Sequence, residues 1–119
     1  MNEFDKLIKL LDDAKIPYER NDDKDPNNTF FAYTGGHPMK RIVYGRDAVY
    51  STKHDMICVC SAIWGYGSYG YEEGLIEIMG LLTPEEEEYD SVKGYLTADN
   101  VFNRIKKHWE ETNNGREAM

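Results

Sequence analysis

The stretch from Met56 to Gly80 constrains this chain more than any other. One apolar run, Met56-Ile57-Cys58-Val59-Cys60-Ser61-Ala62-Ile63-Trp64, precedes a glycine–tyrosine segment, Gly65-Tyr66-Gly67-Ser68-Tyr69-Gly70-Tyr71. A second apolar run follows Glu72-Glu73-Gly74 and passes through Leu75-Ile76-Glu77-Ile78-Met79. Both runs are short and bounded by glycine, the pattern of two strands joined by a long hairpin loop. Polar residues do not alternate strictly along the first run, which predicts a strand buried on both faces. Glu77 alternates with Ile76 and Ile78, which predicts an exposed carboxylate on a half-buried strand.

The rest of the chain supplies packing for this hairpin. Phe4, Leu7, Ile8, Leu11 and Ala14 recur at helical spacing, predicting a helix over 2–14 capped by Asn2 and stopped before Pro17. Ile16 to Arg20 reads as a short edge strand. Asn21 to Asn28 reads as a loop, Thr29 to Thr34 as β-prone and Gly35 to Pro38 as a turn. Lys40 to Tyr44 reads as a strand with Ile42 and Tyr44 on one face and Arg41 and Val43 on the other. A further strand is expected over Ala48 to Thr52.

Thr83, Pro84 and Glu86 spell a capping box, so the glutamate run opens a helix. Thr97 caps the last helix, expected over Ala98 to Glu111, with Val101, Phe102, Ile105 and Trp109 as its apolar stripe and His108 at the margin. Asn113-Asn114-Gly115 is expected to end it, leaving 113–119 as a frayed tail. The sum is one α+β domain over 1–112. It has an N-terminal helix, a mostly antiparallel sheet of four to five strands, and two C-terminal helices packed on one face.

No apolar run approaches the roughly 18 to 20 residues of a membrane span. The N-terminus lacks a basic region followed by an apolar one, so a cytoplasmic location is expected. Cys58 and Cys60 fall on one side of one strand, a poor geometry for a disulfide with each other, and are expected as reduced thiols. The net charge is −8. Eight acids and no Lys or Arg lie between Glu72 and Asp90. Such a surface repels nucleic acid and attracts basic partners.

Three constellations bear on chemistry. Trp64, Tyr66, Tyr69 and Tyr71 alternate with glycine; this composition packs a long hairpin, forms protein-contact loops, or stacks on a ligand ring. Lys40, Arg41, Tyr44, Arg46, Tyr50 and Lys53 form a basic–aromatic patch suited to phosphate. With Trp64 and Tyr66, the residues Lys40, Arg41, Tyr44 and Arg46 make an alternative nucleotide site. Gly65-Tyr66-Gly67 through Gly70 matches the letters G-x-G-x-x-G, but Tyr71-Glu72-Glu73 places acids where a phosphate-binding helix should open. Cys58 and Cys60 with His37 and His54 lack the C-x2-C spacing of a zinc site and read as core thiols. No catalytic residue, metal site or cofactor is assigned.

The segments Gly74-Leu75-Ile76-Glu77-Ile78-Met79-Gly80-Leu81-Leu82-Thr83 and Gly94-Tyr95-Leu96-Thr97-Ala98-Asp99-Asn100-Val101-Phe102-Asn103-Arg104-Ile105, with the first helix, resemble small acidic proteins of unassigned function from phages and mobile elements of Firmicutes. The resemblance carries no catalytic residue. It implies an accessory protein that acts by binding, for example an inhibitor of a host defence system. The leading expectation is therefore a non-enzymatic binding protein, monomeric or homodimeric. It presents Trp64, Tyr66, Tyr69, Tyr71, Glu72 and Glu73, together with Glu85, Glu86, Glu87 and Glu88, to a basic host protein, for example in a groove that otherwise holds nucleic acid. A small-molecule binder and a thiol- or metal-dependent enzyme are the alternatives.

Overall fold

The computed structural model describes residues 2–20, 39–45 and 59–117, with side chains as far as Thr112. The expectations for Asn21 to Pro38, Arg46 to Cys58 and the last two residues lie outside the described residues.

Helix α1 spans Glu3–Asp13 and is capped as its sequence dictates: Asn2 Oδ1 accepts from the Asp5 N–H at 2.8 Å. It ends four residues before Pro17. Lys15 takes a left-handed φ of 58°, its N–H reaches the Asp12 carbonyl at 3.1 Å, and the Ile16 N–H reaches Leu11 at 3.0 Å. That pair of bonds is a Schellman motif, with lysine in the place where glycine is usual. Ile16 is buried after the turn, so the exit of the chain is fixed by an apolar contact as well.

Five strands follow: β1 Glu19–Arg20, β2 Met39–Tyr44, β3 Cys60–Gly65, β4 Ile76–Met79 and β5 Val92–Leu96. They lie side by side in chain order and every neighbouring pair is antiparallel. The hairpin read from Met56 to Gly80 is β3–β4, in the register Ser61↔Met79, Ala62↔Ile78, Ile63↔Glu77. Between the C-terminal strands sits a short helix α2, Pro84–Tyr89, with the full reciprocal capping box of Thr83 and Glu86. The last helix, α3, spans Ala98–Glu117.

One face of the sheet carries the core. Ile42, Tyr44, Cys60, Ala62, Ile76, Ile78 and Leu96 meet Phe4, Leu7 and Leu11 of α1 and Val101 and Ile105 of α3. Nearly all of these are withdrawn from water, and each large apolar side chain so buried contributes roughly 1.5–3 kcal/mol. The two long helices cover this face together. Helix α2 buries none of its residues and stands beside β5. On the opposite face Met39, Arg41, Val43 and Ser61 are buried as well. The centre of the sheet is thus enclosed from both sides, as the unbroken apolar run of β3 predicts.

Two departures from the sequence reading concern its last third. Strand β5, Val-Lys-Gly-Tyr-Leu, is not among the strands expected from the sequence; in the fold Gly94 lies at a β-bulge. Helix α3 continues through Asn113-Asn114-Gly115 to Glu117 rather than ending there. Once Val101 and Ile105 fix its first turns in the core, each further residue adds a hydrogen bond without a new nucleation cost.

Candidate functional site

The glycine–tyrosine segment is a tightly bonded loop. Ser68 is its hub: its Oγ accepts from the Gly65 N–H at 3.1 Å and donates to the Gly65 carbonyl at 2.8 Å. Its own N–H reaches Gly65 O, and its carbonyl accepts from Tyr71. Glu73 and Leu75 both donate to the Gly70 carbonyl, and Gly74 donates to Tyr71, which closes a single 3-10 turn over Tyr71–Glu73. Gly70 and Gly74, flanking that turn, adopt φ of 96° and 73°. The loop is thereby fixed by its own backbone, with tyrosines projecting from it.

The loop is docked on β5. Between Ile76↔Leu96 and Ile78↔Lys93 the β5 strand has one extra residue, a bulge at Gly94-Tyr95. Tyr95 N–H donates to the Tyr69 carbonyl at 3.2 Å. A Cβ on Gly94 would collide with the Tyr69 side chain and come within 2.9 Å of its carbonyl oxygen. Glycine is required here because two backbones touch. From below, Glu77 Oε1 accepts from the Tyr69 N–H at 2.8 Å. This corrects the reading of Glu77 as an exposed carboxylate: it is half-buried and braces the loop. Burial raises its pKa, the Tyr69 N–H opposes that, and nearby Asp90 adds to the rise.

The aromatic residues form a row. Trp64 Nε1–H donates to the Tyr71 carbonyl at 3.2 Å, and the two rings lie 5.3 Å apart. Tyr66 meets Tyr71 at 6.2 Å and 70°, nearly a right-angled corner. Tyr66, Tyr69 and Tyr71 are exposed. Tyr66, Tyr71 and Tyr95, with Glu72 and Glu73, line an open cleft of about 470 Å³. Among the described residues no Lys or Arg lines it. Tyr95 enters the site from 24 residues along the chain after Tyr71, by way of the bulge; the only signal for it in the sequence is its position after Gly94.

The glutamates expected to act together are divided by the fold. Glu72 and Glu73 precede β4, while Glu85 to Glu88 follow it, so the two groups lie at opposite ends of that strand. Glu85, Glu87 and Glu88 are exposed on α2. Glu86 is not part of that free surface: its carboxylate accepts two hydrogen bonds from Arg104, and its pKa is lowered to about 2, first by Arg104 and then by the Thr83 N–H.

The basic–aromatic patch does not assemble among the described residues. Lys40 lies on the core face opposite Trp64, its Nζ 5.6 Å from that ring and 3.6 Å from Asp5 Oδ1. Arg41 points to the other face and is 8% exposed. Tyr44 is buried, and its hydroxyl makes a 2.8 Å hydrogen bond with His108 Nδ1. Side chains alternate along a strand, so adjacent Lys40 and Arg41 cannot hold one ligand from one face. Arg46 lies outside the described residues. Cys60 is 1% exposed and forms no disulfide among the described residues, a core residue without access for a substrate. Among the described residues no group of three or more His, Cys, Asp or Glu is placed to hold a metal ion, and no helix is long and apolar enough to cross a membrane.

Comparison with protein-family models, with curated proteins and with solved structures finds no match to this chain.

Proposed function

We propose that this protein is a non-enzymatic binding module that presents the Trp64–Glu73 loop and its acids to a basic surface of another protein. One observation carries the reading: a loop bonded into a fixed shape displays exposed tyrosines beside Glu72 and Glu73, around a cleft free of cationic side chains among the described residues. Tyrosine gives a large contact area at low entropic cost, and a preformed loop avoids the cost of ordering on binding. The exposed carboxylates of Glu85, Glu87 and Glu88 extend the negative field at the other end of β4 and steer a basic partner. An accessory protein of a phage or mobile element that occupies a host defence protein is the form of this reading that the resemblance implies.

The test is affinity capture from a bacterial lysate with the immobilised chain, eluted by rising salt. A basic protein should be retained by the wild type and released as salt screens the contact. It should be lost from a Tyr66→Ala, Glu72→Gln, Glu73→Gln variant. Equal retention by both chains, or retention of nothing basic, overturns the reading.

A further inference from the structure

We infer that the cleft between Tyr66, Tyr71 and Tyr95 holds an arginine side chain supplied by the partner, with Glu72 and Glu73 receiving its guanidinium. This rests on the reading of the loop as a protein-binding surface and names what that surface recognises.

Three observations converge on a planar cation. The first is the wall material. Tyr66 and Tyr71 form a corner at 70°, Tyr95 adds a third ring, and two carboxylates stand on the 3-10 turn between them. Aromatic faces attract cations through their quadrupole, and carboxylates add charge. Guanidinium satisfies both at once, because it stacks flat on a ring and presents a fork of N–H donors to carboxylate oxygens. An ammonium offers a point charge and no stacking plane.

The second observation is Tyr95 itself. It sits at φ 59°, a left-handed conformation that costs a non-glycine residue stability. The residue is 59% exposed and lies outside the buried core. A tyrosine aimed at the cleft by the bulge has an explanation in binding.

The third is a precedent within the same aromatic row. Trp64, packed beside Tyr71 at a tilt of 41°, already carries the Lys40 ammonium 5.6 Å from its ring centre. The row thus attracts a cation at one end inside the protein. The cleft offers Tyr66, Tyr71 and Tyr95 at the other end, and among the described residues no cation of the chain itself lines it.

The experiment follows amide shifts of the full-length 15N-labelled chain. It is titrated with a capped Gly-Arg repeat peptide and with its Gly-Lys counterpart, at about 0.15 M salt, where the screening length is about 8 Å. The arginine peptide should shift Gly67, Gly70, Glu72, Glu73 and Tyr95, and bind several-fold more tightly than the lysine peptide. Tyr66→Ala and Tyr95→Gly should each weaken it about 3- to 10-fold, the loss expected for one aromatic–cation contact. A Glu110→Gln, Glu111→Gln variant should change it by less than about twofold, because these exposed carboxylates of α3 line no part of the cleft and are screened at this salt. The rest of each variant's spectrum reports whether it is folded.

Shifts confined to α2, with the loop unmoved, would overturn the arginine site while leaving a protein-binding role for the acids. Equal affinity for the lysine peptide would overturn the choice of arginine and leave only a cationic surface. Loss of lysate capture with arginine binding intact would instead sink the functional reading and spare the site.

Discussion

The Arg104 guanidinium grips the Glu86 carboxylate with both prongs, Nη1 to Oε1 at 2.7 Å and Nη2 to Oε2 at 2.8 Å. The same arginine donates to the Leu81 carbonyl at 2.9 Å and to Asn100 Oδ1 at 2.7 Å. Leu81 adopts a left-handed φ of 55°, so Arg104 holds a strained turn between β4 and α2 while tying α2 to α3. Both side chains of the ion pair are only 18% exposed, which makes this pair worth more than an ordinary surface one.

The pair should confer an acid-sensitive share of stability. Glu86 has its pKa depressed from 4.5 to about 2. Its contribution is therefore complete above the unfolded value and is lost as pH falls from 4.5 towards 2. Glu86→Gln keeps the acceptor of the capping box and removes the charge. It should cost about 2 kcal/mol at neutral pH, measured by urea unfolding. The difference from wild type should close across that acid window. A difference that persists at its lower end would show that the charge is not the cause.

Glu77 should behave with the opposite sign. Its carboxyl is raised by burial, so the ionised form costs stability, and that cost appears as pH rises through the folded value. Glu77→Gln retains an oxygen to accept from the Tyr69 N–H without the charge. At neutral pH it should be equal to or more stable than wild type, by less than about 1 kcal/mol. The two should converge in acid. Thermal unfolding against pH decides it; a variant clearly less stable at neutral pH would mean that the negative charge, not the acceptor, braces the loop.

Gly94→Ala should separate the loop from β5. The added methyl meets Tyr69, and backbone must shift to relieve it, at a cost of about 2 kcal/mol. Hydrogen exchange should show the Tyr95 amide losing protection, since its acceptor is the Tyr69 carbonyl. Unchanged protection at Tyr95 would show that the loop is not held through the bulge.

Tyr95→Gly should raise stability by about 0.5 kcal/mol. Relief of the left-handed backbone outweighs the added flexibility of glycine in the unfolded chain. The urea midpoint reports it. A lower midpoint would mean that the tyrosine ring supports the fold rather than the cleft.

What the sequence determined by itself was everything settled within a few residues. Asn2, Thr83 and Thr97 accept from the N–H three residues on, so each helix start was legible from one tetrapeptide. The stripe of Phe4, Leu7 and Leu11, and the apolar runs on either side of the glycine–tyrosine loop, fixed the first helix and the central hairpin by periodicity alone. The register of alternation placed Arg41 and Ile42 on opposite faces. Tertiary structure decided which polar groups meet. It turned Glu77 inward because a loop folds over β4. It withdrew Glu86 from the acidic surface because α3 delivers Arg104 from 18 residues away. It buried Arg41 and Tyr44 on opposite faces, so the basic patch did not form among the described residues, and it brought Tyr95 to the aromatic cleft through a bulge. Caps and stripes follow from local geometry, whereas these pairings depend on how the sheet and helices lie over one another.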